Sequence, residues 1–174
     1  MDFVNHYDSP LGGITLASDG EALLGLWFDG QKYFCRTLES YPTEKNLPVF
    51  EEAFFWLGCY FMGSDPGFTP KLNPRGTAFQ HVIWNILLSI PYGQTTNYGQ
   101  IAEKAARQMG LHRMSARAVG GAVGRNPISL MIPCHRVIGA NGSLTGYAGG
   151  TDRKLRLLQM EKAEKTEFHP PDTA

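Results

Sequence analysis

The chain has 174 residues, with 16 Lys and Arg against 16 Asp and Glu, so its formal net charge is zero. This length allows one domain or two small ones, and no apolar run approaches the length of a membrane span. The N-terminus lacks the basic-then-apolar layout of a signal peptide. Three cysteines, an odd number without paired spacing, make a disulfide framework unexpected. We therefore expect a cytoplasmic protein that does not contact a membrane.

The zero net charge hides a strong division along the chain. Residues 1–74 carry 4 Lys and Arg against 10 Asp and Glu, whereas residues 75–162 carry 11 against 3, a net charge of +8. Residues 163–174 return to 1 against 3. A basic block of this kind is typical of a surface that contacts phosphates, although the same charges can also simply solvate helices.

The first part of the chain predicts a small α/β domain. Three stretches have strand composition and are separated by Gly-containing turns, which predicts an antiparallel meander. They are residues 3–8, 14–18 and 22–28. A helix over residues 49–62 would cover one face of this sheet, because four aromatic and aliphatic residues recur there at helical spacing and are interpreted as core. These four are Phe50, Phe54, Leu57 and Phe61.

A domain boundary is predicted near residue 74. Residues 63–75 are rich in Pro and Gly, which disfavour both helix and strand, and the sign of the charge changes in the same region. Residues 1–74 would then form the first domain and residues 75–162 the second. Residues 163–174 are expected to form a flexible acidic tail.

The second domain begins with three predicted helices. Thr77 and Gln80 form a capping-box pattern ahead of an amphipathic stretch. A second helix is expected over residues 98–109, and a third from the N-cap Ser115 to about Gly124. Two helices joined by a tight turn are typical of a helix-turn-helix, with the third helix of the block in the recognition position.

The third predicted helix contains three glycines, Gly120, Gly121 and Gly124. Each weakens a helix by about 1 kcal/mol relative to Ala, so their presence calls for a reason other than helix stability. Small residues allow a close approach of the backbone, either to another helix or to DNA. Both explanations are open from the sequence.

Possible chemistry is concentrated in Ile132-Pro133-Cys134-His135-Arg136-Val137. A thiol followed by an imidazole pairs a nucleophile with a base, and a carboxylate that orients the imidazole would complete the arrangement. A buried thiol is normally inert, because apolar surroundings disfavour the thiolate. Taken alone, the pair is more simply interpreted as a core cysteine beside a surface histidine, since neighbours on a strand point to opposite faces.

The residues after this stretch predict a wing and a final helix. Asn141-Gly142 lies between Val137-Ile138 and Leu144-Thr145, a pattern typical of a tight hairpin. A helix capped by Thr151 is then expected to bring Glu161 near its end.

Three segments resemble, closely and in order, the O6-alkylguanine-DNA alkyltransferases, also called methylated-DNA-protein cysteine methyltransferases. They are residues 115–127 (SARAVGGAVGRNP), 132–137 (IPCHRV) and 139–150 (GANGSLTGYAGG). The resemblance implies a ribonuclease-H-like N-terminal α/β domain and a mainly α, winged helix-turn-helix C-terminal domain that binds DNA. The connection from Gln108 to Met114 is longer than in many members of this family and adds His112 and Arg113.

The activity implied by the resemblance is DNA repair by direct reversal of damage. The alkyl group of an O6-alkylguanine, with O4-alkylthymine as an open alternative, would pass irreversibly to Cys134, once per protein molecule. His135, acting through water and oriented by Glu161, would activate the thiol. Asn126 would fix the turn that presents Cys134, and Tyr98 would donate to the leaving guanine.

The implied partner is double-stranded DNA, bound from the minor groove by a monomer. The damaged base must leave the stack to reach a buried thiol, and Arg117 would fill the gap; an ordinary phosphate contact by Arg117 is the alternative. The implied contacts to the base are Val137, Tyr147 and Ala148, together with Arg117. The implied contacts to DNA are Arg117, Ala118, Gly120, Gly121, Arg125 and Arg136.

No cofactor motif is present, and no metal site is predicted. Cys35 and Cys59 with His6 or His81 match no metal-ligand spacing. Two other functions are weighed: a lesion-binding alkyltransferase-like protein without chemistry, whose members replace the acceptor cysteine, and a cysteine hydrolase. The hydrolase would use the same thiol, imidazole and carboxylate, but no separate oxyanion element is evident.

Overall fold

The computed structural model describes residues 1–39 and 41–163. The described chain divides into two compact units: unit 1 contains Met1–Gly76 and Pro127–Met131, and unit 2 contains Thr77–Asn126 and residues 132–163. The domain boundary near residue 74 stays a prediction, and it gave no sign that Pro127–Met131 lies in unit 1. Of the predicted flexible tail, residues 164–174 lie outside the described residues. Within the described ranges, no helix is long and apolar enough to cross a membrane.

Unit 1 is built on a four-stranded sheet with the order β3-β2-β1-β4. The predicted antiparallel meander is present as β1 (Phe3–Ser9), β2 (Gly12–Ser18) and β3 (Leu23–Phe28). The turn between β1 and β2 is closed by Ser9, whose hydroxyl donates to the Gly12 carbonyl at 2.6 Å. The sequence does not predict β4 (Thr43–Glu44), which pairs in parallel with β1, because two exposed residues carry no strand pattern.

The helix of unit 1, α1 (Pro48–Phe61), lies against β1 and β2. Its predicted apolar stripe is only partly right, because Phe54 and Phe61 are half-buried. Trp56 and Tyr60 complete the buried face instead, with their rings stacked at a centroid distance of 5.1 Å.

The segment Pro127–Met131 runs beside β3 within unit 1. The Leu26 amide donates to the Pro127 carbonyl and the Ser129 amide donates to the Leu26 carbonyl, both at 2.9 Å. Leu130 in this segment is buried and has φ 72°, a backbone conformation that residues other than glycine rarely adopt. The six residues before Pro133-Cys134 therefore include a stretch whose backbone is fixed by β3.

Unit 2 is mainly helical. Its helices are α2 (Ala78–Leu88), α3 (Tyr98–Gln108), α4 (Ala116–Gly124) and α5 (Thr151–Met160). The first three pack on one another as the predicted helix-turn-helix block. The predicted capping box at Thr77 and Gln80 is present in both directions. The Trp84 indole N–H on α2 donates to the Ala122 carbonyl on α4 at 3.0 Å and so ties the two helices together.

The predicted wing differs from a two-stranded hairpin. Asn141 and Gly142 do form a tight turn, with φ values of 61° and 86°. Leu144 and Thr145 form no strand, however, and β6 (Val137–Ile138) pairs in parallel with β5 (Thr96–Asn97). The predicted turn is therefore confirmed, but the predicted pairing is wrong, because β6 pairs with β5, a strand distant in sequence.

Candidate active site

Cys134, His135 and Arg136 form a single 3-10 turn, not the end of a strand. In such a turn successive side chains project about 120° apart, so the thiol and the imidazole are not directed to opposite faces. Cys134 is 5% exposed and His135 is fully buried. Of these two residues, only Cys134 therefore keeps any surface that solvent can reach.

Asn126 closes the loop that precedes the cysteine. Its side-chain amide donates to the Ile132 carbonyl at 2.7 Å, and the same carbonyl accepts from the Cys134 amide at 2.7 Å. Asn126 and Ile132 flank Pro127–Met131, so this hydrogen bond holds together the two points where the chain leaves and re-enters unit 2. The turn that the resemblance assigns to Asn126 is thus held by a hydrogen bond from this side chain to backbone.

Glu161 lies at the C-terminal end of α5 and faces the imidazole. Its Oε2 lies 2.6 Å from His135 Nε2, and both side chains are buried. Its Oε1 accepts from the Gly93 amide at 3.1 Å. The predicted N-cap of α5 is wrong. The N-cap residue is Gly150 and not Thr151, and no side chain caps the helix.

Arg136 is a correction to the predicted DNA contacts. Only 8% of it is exposed, and its Nε and Nη2 donate to Glu161 Oε1 and Oε2 at 2.8 and 3.2 Å. Its Nη1 donates to the Ile90 carbonyl at 2.7 Å. The guanidinium therefore balances the charge of the buried carboxylate and is not available to a phosphate.

The ionisation of this cluster follows from burial and from the Arg136 charge. Burial raises the pKa of the Cys134 thiol, although a hydrogen bond from Asn126 and the charge of Lys154 act in the opposite direction. Burial opposes ionisation of Glu161, but hydrogen bonds and charges of His135 and Arg136 hold its pKa well below its usual range. Burial lowers the pKa of His135 despite the Glu161 carboxylate. A neutral imidazole of this kind is able to accept a proton.

Lys154 is a buried cation that the sequence reading missed. It is 1% exposed, and its Nζ donates to the Thr145 carbonyl at 2.8 Å. Burial lowers its pKa to about 8, and the charge of Cys134 acts against this shift. A signal was available, because Lys154, Leu158 and Glu161 recur at the spacing of one helix face.

Tyr98, at the start of α3, meets the same carbonyl. Its hydroxyl donates to the Thr145 carbonyl at 2.9 Å, and burial raises its pKa to about 12. Gly146 follows at φ 84°, and a Cβ there would collide with the Tyr98 hydroxyl. This position therefore needs glycine both for its backbone and for space.

The predicted contacts to the base lie in the same unit. Tyr147 makes an edge-to-face contact with His135 at a centroid distance of 6.4 Å, and its ring covers Gly149, where a Cβ would approach it to 2.6 Å. Ala148, between Tyr147 and Gly149 in the chain, is half-buried. Val137 is fully buried, and its amide donates to the Cys134 carbonyl.

The exposed side of α4 carries the remaining predicted DNA contacts. Arg117, Ala118 and Arg125 are exposed, whereas Gly120 and Gly121 are half-buried. A Cβ on Gly120 would make only an ordinary contact with the Tyr98 ring, at 3.9 Å. A Cβ on Gly121 would lie 3.4 Å from the flexible end of Arg125. Packing inside the chain therefore does not require these glycines.

No metal centre accompanies this site in the part of the chain that the structure describes. Across residues 1–39 and 41–163, no group of three or more His, Cys, Asp or Glu side chains is placed to hold a metal ion. Cys35, Cys59 and Cys134 are all free thiols.

The family model for the 6-O-methylguanine DNA methyltransferase DNA-binding domain matches residues 78–163, and that for the ribonuclease-like domain of the same enzymes matches residues 4–74. The chain belongs to the 6-O-methylguanine DNA methyltransferase family. The match to the ribonuclease-like domain confirms the predicted class of the N-terminal part, and the match to the DNA-binding domain confirms that of the C-terminal part.

Family members of similar length are close in sequence. A methylated-DNA–protein-cysteine methyltransferase of Mycobacterium tuberculosis is 45% identical over 161 residues, which cover 91% of this chain and 93% of that protein. One from Methanosarcina acetivorans is 45% identical over 155 residues, covering 89% and 95%. The crystal structure of Mycobacterium tuberculosis OGT in complex with DNA superposes with a TM-score of 0.79 at 44% identity, covering 92% of each chain.

Proposed function

We propose that this member of the 6-O-methylguanine DNA methyltransferase family repairs DNA by moving the alkyl group of an O6-alkylguanine to Cys134. The observation that carries this proposal is the buried cluster in which Glu161 contacts His135 at 2.6 Å, beside Cys134, a residue that is 5% exposed. A soft thiolate displaces carbon from oxygen readily, and the cluster supplies both a base and an orienting carboxylate.

The transfer exchanges two bonds in one displacement. The Cys134 proton passes to His135 through a bridging water, and the Glu161 carboxylate stabilises the imidazolium that forms. The Sγ–C bond forms as the bond from carbon to O6 breaks, and the electron pair stays on guanine. The high pKa of Tyr98, about 12, keeps its hydroxyl protonated, so it can donate to the leaving guanine once that hydroxyl turns away from the Thr145 carbonyl.

The cation of Lys154 supports the thiolate electrostatically. Its charge lowers the pKa of Cys134, and its pKa of about 8 leaves most of the amine protonated at neutral pH. Because this charge is fixed in a site with little water, it acts more strongly than a surface lysine would. It offsets part of the cost of forming a thiolate in a buried position.

The product is a thioether on Cys134. A thiolate whose pKa is raised by burial is a poor leaving group, so the neighbouring imidazole and amine do not remove the alkyl group and each molecule reacts once. An added alkyl group in a close-packed site is expected to destabilise unit 2 by about 1–3 kcal/mol.

The surface that presents DNA to this site is the exposed side of α4. Two arginines, Arg117 and Arg125, lie at its two ends, and Gly121 between them leaves the helix backbone open to close approach. Such a surface suits the minor groove, with Arg117 entering the gap left by the flipped base. The protein would act as a monomer, and its three free thiols fit the reducing cytoplasm.

Intact-mass spectrometry after incubation with an O6-methylguanine duplex tests this function. Transfer predicts that one methyl group is added to each protein molecule and that the Cys134→Ser variant gains none. Tight binding of the duplex without a mass change would indicate a lesion-binding protein instead. Repeated turnover of an ester substrate that depends on Cys134 would indicate a hydrolase.

A further inference from the structure

The connection between α3 and α4 is an ordered part of unit 2. At the end of α3 the Leu111 amide donates back to the Ala106 carbonyl at 2.8 Å, and Gly110 adopts φ 67°. This is the hydrogen-bond pattern that folds a chain back over the last turn of a helix. Leu111 nevertheless remains 48% exposed, which is unusual for the apolar residue of such a motif.

An open groove of about 480 Å³ lies between this connection and α3. It is lined by the small residues Gly99, Ala102 and Ala106 of α3 and by the chain from Leu111 to Met114. A groove of this volume is large enough to hold a small ligand or a short segment of a polymer. Because these small residues are non-polar, a bound group needs a non-polar side in addition to any charged groups.

The rim of the groove is positively charged. Arg107, His112 and Arg113 line it, against the single carboxylate of Glu103. His112 and Arg113 are exposed, and they belong to the block of the chain whose net charge is +8. A deoxyribose-phosphate chain has the matching chemistry, because its phosphates are anionic and its sugars present C–H groups.

The position of the groove favours the same occupant. The connection ends directly before Ser115, whose hydroxyl accepts from the amides of Arg117 and Ala118 at 3.1 and 3.2 Å, and Ala116 of α4 lines the groove. A duplex that lies on α4 therefore continues towards Arg113. Resting on the proposed function, the inference extends the contact with DNA beyond the recognition helix.

We propose that this groove is a second DNA contact, in which Arg113 and His112 hold the phosphates of one strand beside the lesion and the small residues of α3 receive the sugars. The contact reads no base edges. It adds affinity for any sequence, and it makes binding more dependent on salt.

Binding of a short, undamaged, fluorescein-labelled duplex, followed by anisotropy at several salt concentrations, tests this contact. For Arg113→Ala the slope of log K against log salt should become shallower by about 0.9, as expected for the loss of one phosphate contact. The affinity advantage of the unaltered protein over Arg113→Ala should then shrink about 3-fold between roughly 50 and 200 mM salt. Glu103→Gln, which removes the opposing charge, should tighten binding. Arg156→Ala removes an exposed cation from α5, outside the groove, and serves as the control.

The proposal is overturned if Arg113→Ala and Arg156→Ala have the same slope, or if Glu103→Gln leaves binding unchanged. It is also overturned if Arg113→Ala alters self-association of the protein without DNA, which would assign the groove to a second copy. These measurements use undamaged DNA and do not need Cys134. Failure of the proposed alkyl transfer would instead appear as a missing mass gain in the unaltered protein.

Discussion

Glu161 Oε2 and His135 Nε2 lie 2.6 Å apart in a region closed to solvent. The carboxylate is also bound by the Arg136 guanidinium, so its negative charge is shared between an imidazole and a permanent cation. Burial, with a smaller effect from the charge of Arg136, lowers the pKa of His135 and so keeps the imidazole neutral beside a carboxylate. Glu161 thus contacts both the imidazole and the buried guanidinium.

Glu161→Gln is expected to slow alkyl transfer by roughly 100-fold, because the imidazole loses the group that orients it and stabilises its charged form. The same change should reduce the free energy of unfolding by about 3 kcal/mol, since Arg136 is left buried without its counter-charge. Single-turnover rates and urea unfolding measure the two effects separately. Asp152→Asn, an exposed carboxylate of the same helix, should change neither. A Glu161→Gln protein with unaltered rate would show that the carboxylate only supports the fold.

Lys154→Met is expected to slow transfer at neutral pH by about 10-fold, which corresponds to raising the pKa of the thiol by one unit. The pH profile gives a sharper test. The pKa of Lys154 is about 8, so its cation is present below that pH and is lost above it. The rate of the unaltered protein should therefore rise as the imidazole, whose pKa is lowered, loses its proton, and then level off or fall above about pH 8.

The Lys154→Met variant should lose this upper bend while keeping the rise. Arg156→Met, which removes an exposed cation from the same helix, is the matched control and should keep both. An unchanged upper bend in Lys154→Met would mean that another group titrates there.

Gly121→Ala separates helix stability from DNA binding. The new methyl group should stabilise unit 2 by about 0.5–1 kcal/mol, because Ala favours a helix and the site has room for it. It should also weaken DNA binding, because it holds the helix backbone away from the groove. Gly58→Ala in α1, where a Cβ would meet nothing within 4 Å, should give a similar stabilisation without any change in binding. If the two variants bind DNA equally well, the α4 glycines do not serve DNA binding and their role lies within the protein.

Arg117→Ala distinguishes a residue that fills the base-pair gap from one that only contacts phosphate. Loss of the gap-filling group should slow transfer from a duplex by roughly 100-fold, since unstacking a base costs a few kcal/mol. Transfer from the free base O6-benzylguanine should fall far less. Arg125→Ala removes the same charge from the other end of α4 and should leave the ratio of the two rates unchanged. If Arg117→Ala also leaves that ratio unchanged, the phosphate-contact alternative is correct.

The features that the sequence predicted well are those set by neighbouring residues. The capping box at Thr77, the N-cap at Ser115 and the turn at Asn141-Gly142 each depend on a few adjacent side chains. The errors arose where contacts distant in sequence decide the outcome. Arg136 resembled a DNA contact until Glu161, 25 residues away, was seen to bind it.

The position of Pro127–Met131 in unit 1 was hidden for the same reason. Its apolar composition predicts burial, but the choice of β3 as its neighbour depends on Leu26, far earlier in the chain. Lys154 was missed because a lysine is normally exposed. Only its spacing with Leu158 and Glu161 on α5 indicated otherwise.

Peptide mapping of a protein that keeps a single cysteine is the most direct test of Cys134 as the permanent acceptor. The Cys35→Ser/Cys59→Ser variant would be incubated with excess O6-methylguanine duplex and digested, and the transferred methyl group would be located and counted by tandem mass spectrometry. The expected result is a plateau at one methyl group per molecule, carried on Cys134. Methyl release that continues past that plateau, or a methyl group on any other residue, would contradict it.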